Sequence, residues 1–291
     1  MRLMELKPNG KLVLTEYSYN AKDVPSYAIL SHTWAEDNSA EVSFQDVEAG
    51  IGESKAGWKK IAFCADKTAA DGLRFFWIDT CCIDKENKAE LAQAINSMFH
   101  WYRNAARCYV YLSDVSGSTD ERNPRAWESD FRKSRWFTRG WTLQELLAPA
   151  SVEFFSQERK KLGDKSSLKH QIHEITNIPH SALQGELLSQ FTVEERLRWI
   201  EHRETKLEED KAYSLLGIFG VYILPIYGEG IATSFNRLQE EIQKREKCMQ
   251  DLRLTDPRDD KKRIEDTKGG LLEGSYRWIL ENSDFQQWRR A

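Results

Sequence analysis

The chain has 291 residues, 42 Lys+Arg against 46 Asp+Glu, and a formal charge of −4. At 40% hydrophobic and 30% charged it is too apolar for a disordered polymer, and it lacks the net basic footprint of a general nucleic-acid binder. No run of 18 apolar residues occurs, so no membrane span is expected, and residues 1–8 lack the apolar stretch of a secretory signal.

The first persuasive element is Tyr27–His32, an apolar run after the turn-forming Val24-Pro25-Ser26, which predicts a buried strand. Residues 54–73 place Trp58, Ile61, Ala62, Cys64, Ala65, Ala69 and Ala70 at helical spacing before an Asp71-Gly72 stop. Residues 75–78 predict a second short strand running into the turn Asp79 to Asp84. A helical pattern returns over 88–106 through Leu91, Ile95, Met98, Phe99 and Tyr102, and residues 108–112 predict a third strand. A long polar loop over 113–137 follows, then a short helix over 138–148 ended by Pro149, and a fourth strand over Val152–Phe155. This alternation implies an α/β fold with a parallel sheet covered by helices on both faces. In such sheets ligands sit beyond the carboxyl ends of the strands, where Ser31, His32, Thr33, Trp34 and Asp79 lie.

Beyond residue 157 the pattern is helical, over 168–176, 193–203, 210–219 and 234–247, with no strand between. We therefore expect an α/β core over 1–157 and a helical extension over 158–250. Residues 251–291 form a mixed-charge linker with an aromatic end (Tyr276, Trp278, Phe285, Trp288) suited to docking.

Five cysteines (Cys64, Cys81, Cys82, Cys108, Cys248) form no disulfide framework and no C-x-x-C, which predicts inert thiols and a cytoplasmic protein. Phosphate-loop, dinucleotide, hydrolase-elbow and zincin motifs are missing. His170 and His173 lack an acidic third ligand nearby, and Asp79 and Asp84 read more simply as turn caps, so no metal site is expected. The informative stretch is Arg139 to Leu147. On a helix Trp141 and Glu145 share one face, and a carboxylate beside an indole can stabilise positive charge. Spacing alone favours the plainer alternative, an amphipathic helix with Glu145 ion-paired to Arg139 or Arg135.

Three blocks, Tyr27 to Trp34, Phe76 to Lys85 and Arg139 to Leu146, resemble the signatures of the fungal heterokaryon incompatibility (HET) domain. Weaker blocks over 210–217 and 225–230 are similar to the same family, as found at the head of NOD-like proteins whose NACHT module and WD repeats follow. Residues 255–264 resemble the segment that leads into NACHT. The resemblance implies an effector that triggers cell death when unlike fungal cells fuse, working through self-association and through NACHT and WD-repeat regions.

The HET pattern in turn resembles TIR domains, which implies a flavodoxin-like sheet, although a fifth strand is not evident in the sequence. The TIR strand end F-L-S-F is similar to residues 29–32, and S-x-W-C-x-x-E-L is similar to residues 140–146, with Thr142 in place of Cys. In NAD-cleaving TIR domains the glutamate of that block is catalytic. The likeness therefore implies Glu145 as catalytic residue, with Ser31, His32, Thr33, Trp34, Asp79 and Trp141 around NAD+ as substrate and no resident cofactor. Nicotinamide leaves as a neutral group, so one carboxylate facing an oxocarbenium-like transition state suffices. The alternative is a non-catalytic, self-associating adaptor in which Glu145 is structural.

Overall fold

The computed structural model describes residues 1–17, 24–117 and 125–254, with side chains described to residue 251. One mixed sheet organises the chain. Its strands are β1 (Arg2–Leu6), β2 (Leu12–Glu16), β3 (Tyr27–His32), β4 (Phe75–Trp77), β5 (Arg107–Tyr111), β6 (Val152–Phe155) and β7 (Lys161–Asp164). Across the sheet they run β2-β1-β4-β3-β5-β6-β7. The middle four, β4-β3-β5-β6, are mutually parallel. Counted in chain order among themselves they stand 2-1-3-4, the start of a flavodoxin-like order.

The parallel core is as the sequence predicts, because strands buried on both faces read as continuous apolar runs. All six residues of β3 are buried. The edges differ from expectation. A β1–β2 hairpin pairs antiparallel with β4, and β7 pairs antiparallel with β6 inside the region expected to hold helices alone. Neither edge has the unbroken apolar run of the central strands. Glu5 is buried in β1 because Lys7 and Arg74 pair with it and Thr15 donates to it at 2.9 Å. In β7, Lys161, Gly163 and Asp164 surround a single apolar residue, so pairing with β6 rather than pattern makes it a strand.

Helices Trp58–Ala70 and Lys88–Asn104 are the crossovers flanking β4. The second begins at Asn87, whose side chain accepts from the amides of Ala89 and Glu90. Two tyrosines bind it to β3: Tyr27 Oη donates to the Trp101 carbonyl at 2.6 Å and Tyr102 Oη to the Leu30 carbonyl at 3.0 Å. The expected loop over 113–137 contains, among its described residues, a helix Glu128–Lys133 and a 3-10 turn Arg135–Thr138. Buried Trp127, Phe131, Trp136 and Phe137 hold that segment against Phe154 of β6.

Helices Lys169–Thr176, Val193–Glu201, Asp210–Tyr213, Leu216–Phe219 and Ile231–Leu254 fill most of the remainder. The expected single helix over 210–219 is two, broken at Ser214-Leu215. The chain divides into two compact units, Met1–Glu241 and Ile242–Ala291, and the first runs across position 157 without a division. The predicted linker over 255–264 and the aromatics Tyr276, Trp278, Phe285 and Trp288 lie outside the described residues.

Candidate functional site

Adjacent parallel strands whose crossovers leave on opposite faces open a crevice at their carboxyl ends. Here that point lies between β3 and β5, the second and third of the four parallel strands across the sheet. Ser31 and His32 end β3, and Thr33 and Trp34 follow. The short helix Thr142–Leu147 packs beside β3 and supplies Glu145.

Glu145 is 6% exposed, and Ser31, fully buried, donates its hydroxyl to Oε2 at 2.5 Å. The same Ser31 oxygen accepts from Trp136 Nε1 at 2.7 Å, so indole, hydroxyl and carboxyl form a buried relay. Burial pushes the Glu145 carboxyl up to about 8, and the Asp79 charge adds to this. The hydrogen bond from Ser31, the neighbouring Tyr102 hydroxyl and the cation of Arg203 pull the other way and lose. At neutral pH Glu145 is therefore mostly a neutral acid. Neither Arg135 nor Arg139 pairs with it. Arg135 binds Glu36 at 2.9 Å and the Trp34 carbonyl at 3.4 Å, while the Arg139 carbonyl accepts from Arg203 at 2.9 Å.

The other predicted residues divide between two places. Trp34 Nε1 donates to Asp79 Oδ2 at 2.8 Å, and Asp79 Oδ1 lies 3.9 Å from His32 Nδ1. Burial raises the Asp79 carboxyl despite Lys85 and the Trp34 bond, and burial with Lys60 and Lys85 keeps His32 well below its ordinary value, hence neutral. His32 Nε2 has no hydrogen-bond partner among the described residues. Lys85 Nζ lies 3.6 Å above the Trp34 ring, a cation–π contact. Trp141 is placed differently. It stands at the N-cap of the helix with helical backbone angles, φ −62° and ψ −32°, and its indole lies beside the Asp210 carboxylate. Gly140 must be small, since an added Cβ would lie 2.5 Å from Thr205 Cγ2.

Above the carboxyl ends of β3 and β5 lies a cleft of about 180 Å³, bordered by Thr33, Trp34, Lys59, Lys60, Ser113 and Arg135 among others. Its wall contains a buried ion pair, Lys60 with Glu41; Lys60 also donates to the Thr33 carbonyl at 2.9 Å, and Glu41 accepts from the Ala35 amide at 2.7 Å. The sequence did not nominate Trp136, Tyr102, Arg203, Lys60 or Glu41. The aromatic spacing of Trp127, Phe131 and Trp136 was the available signal for the first of them. Among the described residues no group of three His, Cys, Asp or Glu is arranged to hold a metal ion.

The heterokaryon incompatibility protein (HET) family model matches residues 27–128. The chain carries a HET domain. The match runs from β3 through β5 into the Glu128–Lys133 helix and so includes Ser31, His32, Thr33, Trp34 and Asp79, and it stops short of Glu145. Over 291 residues, 99% of its length, the chain is 55% identical to the vegetative incompatibility protein HET-E-1 of Podospora anserina, of which it spans 21%. No solved structure matches the chain. No helix among the described residues is long and apolar enough to cross a membrane.

Two tryptophans in and beside the HET match should respond differently to truncation. Trp136 is fully buried, so Trp136→Ala should cost about 3–5 kcal/mol. Trp34 is half-buried, and Trp34→Ala should cost well under that range. Urea melts of both variants decide this, and equal losses would make Trp34 a core residue.

Proposed function

We propose that this chain is the cell-death effector domain of a fungal vegetative incompatibility system and that it cleaves NAD+ at the nicotinamide–ribose bond. The incompatibility role rests on the HET match and on the 55% identity to HET-E-1. The chemical reading rests on one observation: Glu145 is held by Ser31 at the crevice between β3 and β5.

In the reaction the C1′–nitrogen bond breaks, nicotinamide departs neutral with the bonding pair, and water adds to C1′ while losing a proton. Glu145, as carboxylate, stabilises the positive charge that develops on the ribose. Trp34 offers a ring face beside the crevice, and Asp79 holds its indole. Trp141 would contribute only if its indole left the Asp210 carboxylate. Because Glu145 is pushed up to about 8, turnover should rise as pH increases through that value.

The observation favouring the second reading, a non-catalytic self-associating adaptor, is enclosure. Glu145 is 6% exposed, and the neighbouring cleft of about 180 Å³ is smaller than the roughly 300–1,000 Å³ typical of ligand sites. Catalysis therefore requires the crevice to open, and we assign that step to clustering by the cytoplasmic NACHT and WD-repeat regions of a longer protein. The experiment is incubation of concentrated protein, free and fused to an oligomer, with NAD+ at pH 7 and 9, followed by chromatography. Nicotinamide should appear, more per subunit from the oligomer and none from Glu145→Ala. An oligomer that kills cells yet releases no nicotinamide at either pH selects the adaptor.

A further inference from the structure

Among the described residues after 157, two buried cations bind the helix that carries Glu145: Lys165 at its C-terminal end and Arg203 at its start. Arg203 follows the Val193–Glu201 helix and is 3% exposed. Its Nη1 donates to the Arg139 carbonyl and to Thr142 Oγ1, each at 2.9 Å, and its Nε to the Trp199 carbonyl at 3.2 Å. Its second terminal nitrogen, Nη2, is buried without a partner among the described residues. Thr142 and Glu145 belong to the same short helix three positions apart, so they lie on one face about one turn from each other. Guanidinium and carboxyl nevertheless form no ion pair in this state: Glu145 is occupied by Ser31.

A buried guanidinium N–H without an acceptor is costly and calls for a physical account. The groups facing the Glu145 carboxyl come from every neighbouring element: Ser31 from β3, Tyr102 from the Lys88–Asn104 helix, Cys108 from β5, and Asp79 beyond β4. Ionised, Asp79, Tyr102 and Cys108 would each oppose a carboxylate. Lys165 is engaged by the carbonyls of Leu146 and Pro149 at 3.2 and 2.7 Å. Arg203 is the cation that draws the Glu145 carboxyl down, and its other terminal nitrogen, Nη1, is already bonded to Thr142 on the Glu145 helix.

We propose that Arg203 is a positioning residue that switches Glu145 between two states, one neutral and held by Ser31, the other ionised with its carboxylate taken up by Nη2 of Arg203. The helical segment after residue 157 would then carry the activating charge for an acid borne on the sheet domain. Any event that moves the 203–205 segment, which Gly140 and Glu204 join to the helix start by backbone bonds of 2.8 and 2.6 Å, would change the state of Glu145. The inference rests on Glu145 being the working acid, but its test needs no substrate.

From pH 6 upward thermal stability should fall and then level off where Glu145 ionises in the folded chain, a titration midpoint near pH 8. Arg203→Gln should move that midpoint upward by about one pH unit, a tenfold change in the ionisation equilibrium. In a Glu145→Gln background the same substitution should leave no midpoint to move. A midpoint unchanged by Arg203→Gln, or a shift that persists without Glu145, overturns the proposal. Should Arg203→Gln fail to fold, the coupling is read in the unsubstituted chain by NMR. The Arg203 Nε–H resonance should titrate with the Glu145 midpoint and stay still in Glu145→Gln, and a resonance that does not move overturns the proposal equally. Absence of nicotinamide release would defeat the catalytic reading while leaving both measurements interpretable.

Discussion

Glu145→Gln should abolish NAD+ cleavage and cell killing while making the fold more stable above neutral pH. An unfolded glutamate releases its proton near 4.5, whereas the folded one holds it to about 8. Below 4.5 both states are protonated and the group contributes no pH dependence. Between 4.5 and 8 the unfolded chain has released a proton that the folded chain retains, so stability falls as pH rises; above 8 the loss is complete. Integrated over that window the loss is on the order of 5 kcal/mol as an upper bound. Glutamine has nearly the same shape and cannot ionise, so it escapes the loss. At pH 5 the two proteins should melt together, and at pH 9 the variant should be ahead by about 2–4 kcal/mol, or roughly 5–15 °C for a unit of this size. A variant that tracks the unsubstituted chain at every pH would mean that Glu145 is already ionised in the folded state, and the neutral-acid account would fail.

What the sequence disclosed, and what it hid, follows from how each element is stabilised. Tyr27–His32 and Val152–Phe155 are legible because strands enclosed on both faces need apolar residues throughout. The β1–β2 hairpin is hidden because β2 is only half-buried and β1 places the charged Glu5 in a buried position, compensated by Lys7, Arg74 and Thr15. The crevice was legible from strand order, and it brought Ser31 and Glu145 together as hydrogen-bonded partners. Their supporting shell was not. Trp136, Tyr102 and Arg203 reach Glu145 or Ser31 from three separate helical segments, and no local periodicity encodes such convergence.

Gly217→Ala should unfold the helical half from the sheet half, and with it the support for Glu145. Gly217 sits in Leu216–Phe219, which packs on Lys88–Asn104. A Cβ at Gly217 would lie 2.0 Å from Phe99 Cβ and 2.3 Å from Phe99 Cγ. Phe99 Cβ is fixed to its helix backbone, so the overlap cannot be relieved by turning a side chain. Two effects oppose each other. Alanine is favoured over glycine in a helix by about 1 kcal/mol, whereas overpacking a rigid contact costs about 1–3 kcal/mol or more, and a 2.0 Å approach belongs at the upper end. The clash wins by about 2 kcal/mol. Asn96 reports on the same seam, since its side chain donates to the Ile223 carbonyl at 2.9 Å and accepts from the Ile223 amide at 3.1 Å. Separating the helices breaks both bonds along with the Phe99 contact. Gly217→Ala should therefore lower the urea midpoint, and hydrogen exchange should quicken at Ile223 and along Lys88–Asn104 together. Faster exchange confined to Leu216–Phe219 would show instead that the helical segment opens alone, and that the α/β core holds the helix beneath Glu145 without it.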